Sequence, residues 1–127
     1  MDVLTSHGKH PDREKSDECT TDVRVKAADL AERVSNLVDA LGVLPRISSG
    51  FRTQDANRKA GGSKASAHCL GQAVDIEDKD GKIAALINAR PDLLATYDLY
   101  MENTNYTKGW LHFQTRPTLS GRRIFVP

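Results

Sequence analysis

An apolar stripe of helical spacing is the strongest local pattern in the chain. Five aliphatic residues recur at steps of four, three, one and three positions: Leu30, Val34, Leu37, Val38 and Leu41. This spacing places side chains on one face of an α-helix. Gly42 follows the stripe directly, and glycine readily adopts the left-handed conformation that ends many helices. The pattern predicts a long amphipathic helix that begins near Val23.

Shorter segments after this helix have the features of strands and turns. Strands are predicted in five segments, 46–52, 72–76, 98–102, 110–114 and 124–126. The third and fourth are expected to form an antiparallel pair, and the fifth is expected at a sheet edge. A loop with one helical turn near 55–60 is predicted over 53–66, and a second helix over 83–88 that resumes through Leu94. The predicted fold class is α+β, a small antiparallel sheet with flanking helices.

The beginning of the chain has a different composition. Residues 6–22 contain one cysteine and no aliphatic or aromatic side chain, so they cannot bury enough apolar surface to become ordered by themselves. We interpret residues 1–22 as a polar arm or loop and residues 23–127 as a single domain.

Composition excludes several functional classes. The 18 Lys and Arg residues are balanced by 17 Asp and Glu residues, so no long-range field favours nucleic acid. No segment has the roughly 18 consecutive apolar residues of a membrane span, and the N-terminus lacks the pattern of a signal peptide. Cys19 and Cys69 form neither a CxxC motif nor a disulfide framework. We expect a soluble monomer without membrane insertion or a secretion signal.

Two histidines and one aspartate stand out as candidate metal ligands: His68, Asp75 and His112. A catalytic zinc commonly has three protein ligands of this type and an open fourth position, whereas a structural zinc has four. Cys69 is not expected to be a fourth ligand, because neighbouring residues of an extended chain point in opposite directions. The simpler alternative is three unrelated polar residues in a metal-free domain.

Strand alternation indicates which side chains share a face with His112. Leu111 and Phe113 alternate with His112 and are expected on the core side. The same alternation on the preceding strand places Glu102 on the face that carries His112, so Glu102 is expected near it. A carboxylate beside a catalytic zinc is the expected general base for metal-activated water. Asp98 is the second candidate for this base. Exposure of Glu102 to solvent remains the simpler alternative.

A combination of motifs resembles a known family. The motifs are Ser49-Gly50-Phe51-Arg52, Ser66-x-His68-x-x-Gly71-x-Ala73-x-Asp75 and Trp110-x-His112. This combination is similar to the zinc D-alanyl-D-alanine carboxypeptidase and L-alanyl-D-glutamate endopeptidase family, which has a Hedgehog-type fold. The last residues look most like those of small phage or prophage members. The resemblance runs from about Leu30 to the C-terminus.

The resemblance implies a role for individual residues. It implies that one zinc ion is held by His68, Asp75 and His112, and that Arg52 binds the substrate carboxylate and can stabilise an oxyanion. Many members place the catalytic acid three residues before the last histidine, where this chain has Gly109.

Two further residues are assigned to the substrate side of the site. Ser66 is interpreted as a substrate-side residue that caps the loop. Trp110 is interpreted as a surface that stacks on substrate or covers the sheet.

The resemblance also implies a function and a location. The chain is expected to hydrolyse a peptide bond in the peptidoglycan stem peptide and so to degrade the cell wall as a phage endolysin does. It is expected in the host cytoplasm before release to the wall, or on the virion. The alternative is a non-catalytic zinc-containing module that binds peptidoglycan or belongs to the virion structure.

Overall fold

A computed structural model describes residues 1–63 and 65–127. Lys64, in the predicted loop 53–66, lies outside the described residues. The α-helices are α1 (Thr21–Leu41), α2 (Gln54–Lys59), α3 (Lys82–Ala89) and α4 (Asp92–Thr96). The strands are β1 (Ile47–Ser49), β2 (Ala73–Glu77), β3 (Tyr100–Glu102), β4 (Trp110–Gln114) and β5 (Ile124–Phe125). Short 3₁₀-helices cover Pro11–Lys15 and Ala67–Leu70. The predicted α+β class is confirmed.

Helix α1 follows the predicted apolar stripe. The Thr20 side chain accepts a hydrogen bond from the backbone N–H of Val23, and Gly42 ends the helix in the left-handed conformation. Such caps satisfy backbone groups that have no partner inside a helix. Leu30, Val34 and Leu37 are fully buried. None of the helices in the described part of the chain combines the length and apolarity needed to cross a membrane.

The five strands form one sheet in the order β1-β2-β4-β3-β5. Strands β1, β2, β4 and β3 pair antiparallel, as predicted for β3 and β4. The pairing of β3 with the edge strand β5 is parallel, so the sheet is not wholly antiparallel. Long connections separate these two strands in sequence, which permits the parallel direction.

The two faces of the central strands have different roles. Val74, Ile76, Leu111 and Phe113 belong to the main hydrophobic core together with residues of α1 and α3. Because side chains alternate along a strand, Asp75 and His112 lie on the opposite face. The core thus fixes the strands that carry two of the three candidate ligands.

The strand prediction over 98–102 is too long at its beginning. Strand β3 starts at Tyr100, and Asp98 has a left-handed backbone with φ of 52°. The Asp98 carboxylate forms ion pairs with Arg33 at 3.3 Å and Arg123 at 2.7 Å. The prediction of Asp98 as an alternative base is therefore wrong, because the strand phase does not extend to it and two guanidinium groups bind its carboxylate.

The first 20 residues follow a loop-like path that is packed on the domain. Val3 and Ser6 are buried, and the backbone N–H of Phe51 donates to the Val3 carbonyl at 2.9 Å. Lys9 donates to the Ile47 carbonyl at 2.9 Å. The division at residue 22 stays a prediction, but these contacts join the N-terminal residues to the beginning of the sheet.

Gly71 ends the 3₁₀-helix that carries His68, and we expect it to be intolerant of a side chain. Its φ is 74°, and an added Cβ would lie 2.6 Å from the Val23 carbonyl oxygen. Gly81 has a similar φ of 71° with no atom within 4 Å of such a Cβ. The left-handed backbone alone costs about 1–2 kcal/mol for a non-glycine residue. Gly71→Ala should therefore lower the free energy of unfolding, measured in urea, at least twice as much as Gly81→Ala. Equal losses would contradict the close approach of Gly71 to α1.

Candidate metal centre

The three candidate ligands meet because of strand pairing and one short helix. Asp75 of β2 and His112 of β4 are direct partners in the antiparallel register. His68 comes from the 3₁₀-helix Ala67–Leu70, which precedes β2 and ends at Gly71. The tight turn at Gly71 returns the chain to the sheet, so His68 lies over the pair on β2 and β4.

The ligand atoms are close enough to hold one ion. Asp75 Oδ1 lies 3.3 Å from His68 Nε2 and 2.9 Å from His112 Nδ1. One donor atom from each of the three residues lies within 4.8 Å of the others. His68 and Asp75 are buried, and His112 is partly buried. The structure therefore brings together all three residues that the sequence singled out.

The His68 ring is oriented by a backbone carbonyl. His68 Nδ1 lies 2.8 Å from the Gly50 carbonyl oxygen. A carbonyl oxygen only accepts, so Nδ1 donates to Gly50 and Nε2 is directed towards Asp75. Metal-binding histidines are commonly oriented in this way by a second hydrogen bond. No side-chain pattern reveals a backbone acceptor, so sequence reasoning missed Gly50.

The His112 ring is oriented by Gln114. His112 Nε2 lies 2.9 Å from Gln114 Oε1, and Gln114 Nε2 donates to the Arg116 carbonyl at 2.8 Å. The second bond identifies which end of the Gln114 amide accepts, so the proton of His112 Nε2 points to Gln114. Nδ1 is thereby directed towards Asp75. The sequence placed Gln114 on the face of His112, but this spacing alone did not indicate its role.

The charges of the cluster are strongly coupled. Burial of Asp75 opposes its ionisation, but hydrogen bonds from His112 and His68 outweigh burial and hold the pKa of Asp75 below its usual value. Burial disfavours the protonated His112 ring, but the Asp75 carboxylate outweighs this effect and raises the pKa of His112. In the metal-free protein the Asp75 and His112 side chains thus form an ion pair. A cation bound here would take the place of the His112 Nδ1 proton.

Arg52 lies in contact with the same carboxylate. Its guanidinium NH2 group lies 3.3 Å from Asp75 Oδ2, and its Nε donates to Ser49 Oγ at 2.9 Å. The Arg52 side chain is 15% exposed. Asp75 therefore directs Oδ1 to the histidines and Oδ2 to Arg52, which holds a positive charge at the edge of the cluster.

Glu102 lies at the end of β3, near His112. Tyr100 and Met101 pair with Gln114 and Phe113, so the register continues with Glu102 towards His112. Burial raises the pKa of Glu102; the charge of His112 lowers it, and the charge of Asp75 raises it further, with a net increase. A raised pKa is the direction expected of a carboxylate that acts as a general base.

The other predicted site residues have less direct positions. The Ser66 side chain accepts a hydrogen bond from the His68 N–H at 3.2 Å and caps the 3₁₀-helix. Trp110 is half-buried at the beginning of β4, opposite Glu77. Cys69 is buried and lies outside the candidate metal cluster found among the described residues. Contacts of Ser66 and Trp110 with a substrate remain predictions.

The N-terminal residues support the loop that orients His68. The Gly50 N–H donates to Ser6 Oγ at 3.0 Å in a buried position. Arg13 donates to the Phe51 carbonyl at 3.1 Å. These bonds fix the backbone on both sides of the Gly50 carbonyl that accepts from His68.

We expect Ser6→Ala to weaken this support. The substitution leaves the buried Gly50 N–H without its acceptor, which costs about 1–3 kcal/mol. The free energy of unfolding should fall by this amount, and zinc affinity should fall with it, because the Gly50 carbonyl orients His68. Ser35→Ala in α1 is the control for loss of a hydroxyl. A zinc affinity and stability equal to those of Ser35→Ala would contradict this support.

Gln114→Ala is expected to weaken zinc binding with little effect on the fold. Loss of a partner that orients a metal-binding histidine commonly weakens metal affinity about 10–100-fold. Competition with a chromophoric chelator measures this change without any substrate. Gln54→Ala, on the exposed surface of α2, is the matched control. An affinity of Gln114→Ala equal to that of the control would show that His112 is not oriented by Gln114.

The donor set fits zinc. Two imidazole nitrogens and one carboxylate oxygen are the ligands of open catalytic zinc sites, in which a fourth position is left for water or substrate. Each histidine has the second hydrogen bond that orients such ligands. The set is poor for magnesium or calcium, which prefer oxygen ligands.

Comparison with known proteins agrees with this geometry. A search of curated proteins gives no match. The family model described as Peptidase M15 matches residues 10–112, which include all three candidate ligands, Arg52 and Glu102. This match covers well over half of the chain. The chain therefore belongs to the peptidase M15 family.

Proposed function

We propose that this protein is a zinc metallopeptidase that hydrolyses a peptide bond in the peptidoglycan stem peptide. M15 peptidases are zinc-dependent, and the chain has a His-Asp-His cluster of suitable geometry. The observation that carries the proposal is the combination of a three-donor cluster with Glu102 beside it. A site for a structural metal needs no such carboxylate.

His68, Asp75 and His112 would hold the ion. A zinc ion bound there supplies a Lewis acid and a water of lowered pKa. Glu102 accepts a proton from the attacking water and transfers it to the nitrogen of the departing amine. Its raised pKa suits both steps, because the group must release the proton that it has accepted.

Arg52 serves the substrate side of the site. Its NH2 group is bound to Asp75 and its Nε to Ser49. These bonds hold the guanidinium plane in one orientation. A fixed guanidinium can bind a carboxylate of the stem peptide or stabilise the oxygen that becomes negative when the carbonyl is attacked.

The alternative to this proposal, a non-catalytic module, is suggested by Gly109. In many members of the family that the sequence motifs resemble, the catalytic acidic residue lies three positions before the last histidine. Here that position is a glycine with φ of 85°. Glu102 supplies a carboxylate from the neighbouring strand, and this arrangement favours hydrolysis over binding alone.

Digestion of purified peptidoglycan by the zinc-loaded protein tests the proposal. We expect new amino termini and soluble stem-peptide fragments, identified by mass spectrometry, which also shows which bond is cut. The His68→Ala variant is the control for metal dependence. A folded, zinc-loaded protein that binds the wall and releases no fragment would contradict hydrolysis and support the binding module.

A biological setting forms part of this proposal. The resemblance of the C-terminal residues to phage and prophage members supports a role in cell-wall degradation during infection. The protein would accumulate in the host cytoplasm before reaching the wall, or be carried on the virion.

A further inference from the structure

A groove lies beside the metal centre and is formed mainly by the last part of the chain. Its volume is about 810 Å³, within the range of about 300–1,000 Å³ typical of ligand sites. Residues 116–120 form part of its lining, together with Gln114, Arg122 and the β5 segment. Ala65, which precedes His68, also lines it. Neither the zinc ligands nor Arg52 and Glu102 line this groove.

Two residues that line the groove also contact the His112 ring. Gln114 lines it and binds His112 Nε2 at 2.9 Å. Phe125 lines it and contacts the His112 ring edge to face, with ring centroids 6.0 Å apart. The groove therefore lies directly beside the metal centre.

The lining combines apolar side chains with positive charge. Leu119 and Val126 are largely exposed, although large apolar side chains are usually buried. Arg116 and Arg122 are the charged residues among the lining residues of the described chain, and no carboxylate side chain is among them. Arg116 uses its NH1 group to donate to the Ala65 carbonyl at 2.7 Å. Arg122 is exposed and has no ion pair within the described residues.

The position of the groove at a sheet edge favours an extended occupant. Strand β5 is the last strand in the sheet order, and its residues line the groove. An extended peptide can lie along such an edge and form main-chain hydrogen bonds with it, while its side chains meet the wall. Small apolar side chains fit the Leu119 and Val126 wall, and a carboxylate fits the Arg122 guanidinium.

We propose that this groove binds the part of the substrate peptide next to the scissile bond, and that Arg122 pairs with a carboxylate of that peptide. The inference rests on the proposed function, since a stem peptide supplies both alanine methyl groups and free carboxylates. It adds a second carboxylate-binding position to that of Arg52. Arg52 lies at the cluster, whereas Arg122 lines the groove beside it.

A thermodynamic cycle of dissociation constants tests the pairing of Arg122 with a substrate carboxylate in the absence of turnover. The probes are a synthetic stem tetrapeptide with free carboxylates and the same peptide with its carboxylates amidated. Calorimetry gives the ratio of their dissociation constants for the zinc-loaded Glu102→Gln protein and for the same protein with Arg122→Gln. We expect amidation to weaken binding, and Arg122→Gln to reduce this ratio about 5–10-fold, as expected for one charge-assisted contact. Arg90→Gln, which removes an exposed arginine that pairs with Asp92, should leave the ratio unchanged.

The outcomes separate this inference from the proposed function. An unchanged ratio in Arg122→Gln, or no binding of either peptide, overturns the groove assignment, even if the wild-type protein hydrolyses the wall. A reduced ratio supports the groove assignment. If the wild-type protein then fails to cut any stem peptide, hydrolysis is contradicted, and the groove stands only as a binding site for the stem peptide.

Discussion

Glu102→Gln is expected to reduce kcat for stem-peptide hydrolysis by about 10²–10⁴-fold, the usual contribution of a general base. The amide keeps the shape of the side chain but accepts no proton. KM should change little, because Glu102 lies beside His112 and not in the groove that we assign to the peptide. Steady-state kinetics with a defined peptide measures both constants. Zinc content should remain that of the wild type.

The pKa of Glu102 in the metal-free protein provides a second test of its surroundings. Burial and the charge of Asp75 raise this pKa. An NMR titration of the metal-free protein should therefore give a pKa of Glu102 above the ordinary value for glutamate. Glu32→Gln, an exposed change on α1, serves as the control variant. Equal activity of Glu102→Gln and this control would show that another group accepts the proton.

Asp75→Asn is expected to abolish tight zinc binding and, with it, hydrolysis. The amide fits the same space but removes the only anionic donor of the cluster and its ion pair with Arg52. Zinc affinity should fall by more than the roughly 10–100-fold typical of a change beyond the ligands themselves. Chelator competition gives the affinity, and peptide release gives the activity.

Asp39→Asn is the matched control for this change, because Asp39 is an exposed carboxylate at the end of α1. Circular dichroism of both variants shows whether the fold is kept. A folded Asp75→Asn protein that binds zinc as tightly as Asp39→Asn would contradict the assignment of Asp75 as a ligand.

Much of the fold could be predicted from hydrophobic periodicity. The stripe that contains Leu30 and Val34 predicted α1, because burial of one helix face requires that spacing. Strand β4 was predicted with its observed bounds, since Leu111 and Phe113 alternate with His112 and Gln114. The same alternation placed Glu102 near His112. These features depend on neighbours in sequence, and local patterns therefore report them.

The remainder depends on contacts between distant segments. The parallel direction of β5 and the packing of Val3 and Ser6 against residues near Gly50 have no local pattern. The left-handed backbone of Asp98 ended the strand before the alternation could extend to it. Ion pairs with Arg33 and Arg123, both distant in sequence, determine where the Asp98 carboxylate lies.

The candidate site likewise combines residues that the sequence indicated with groups that it did not indicate. Residue types indicated His68, Asp75 and His112, because two imidazoles and one carboxylate are the ligand types of an open catalytic zinc site. The acceptors that orient the rings were not indicated. One is the Gly50 carbonyl, which every residue type possesses, and the other is Gln114, whose position was evident but whose partner was not.

A crystal structure of the zinc-loaded protein, with anomalous scattering at the zinc edge, tests the central claim most directly. We predict one zinc ion bound by His68 Nε2, Asp75 Oδ1 and His112 Nδ1, at about 2.0–2.2 Å from each atom and with one position open to solvent. Absence of zinc from this cluster, or a fourth protein ligand that closes the site, would contradict the account.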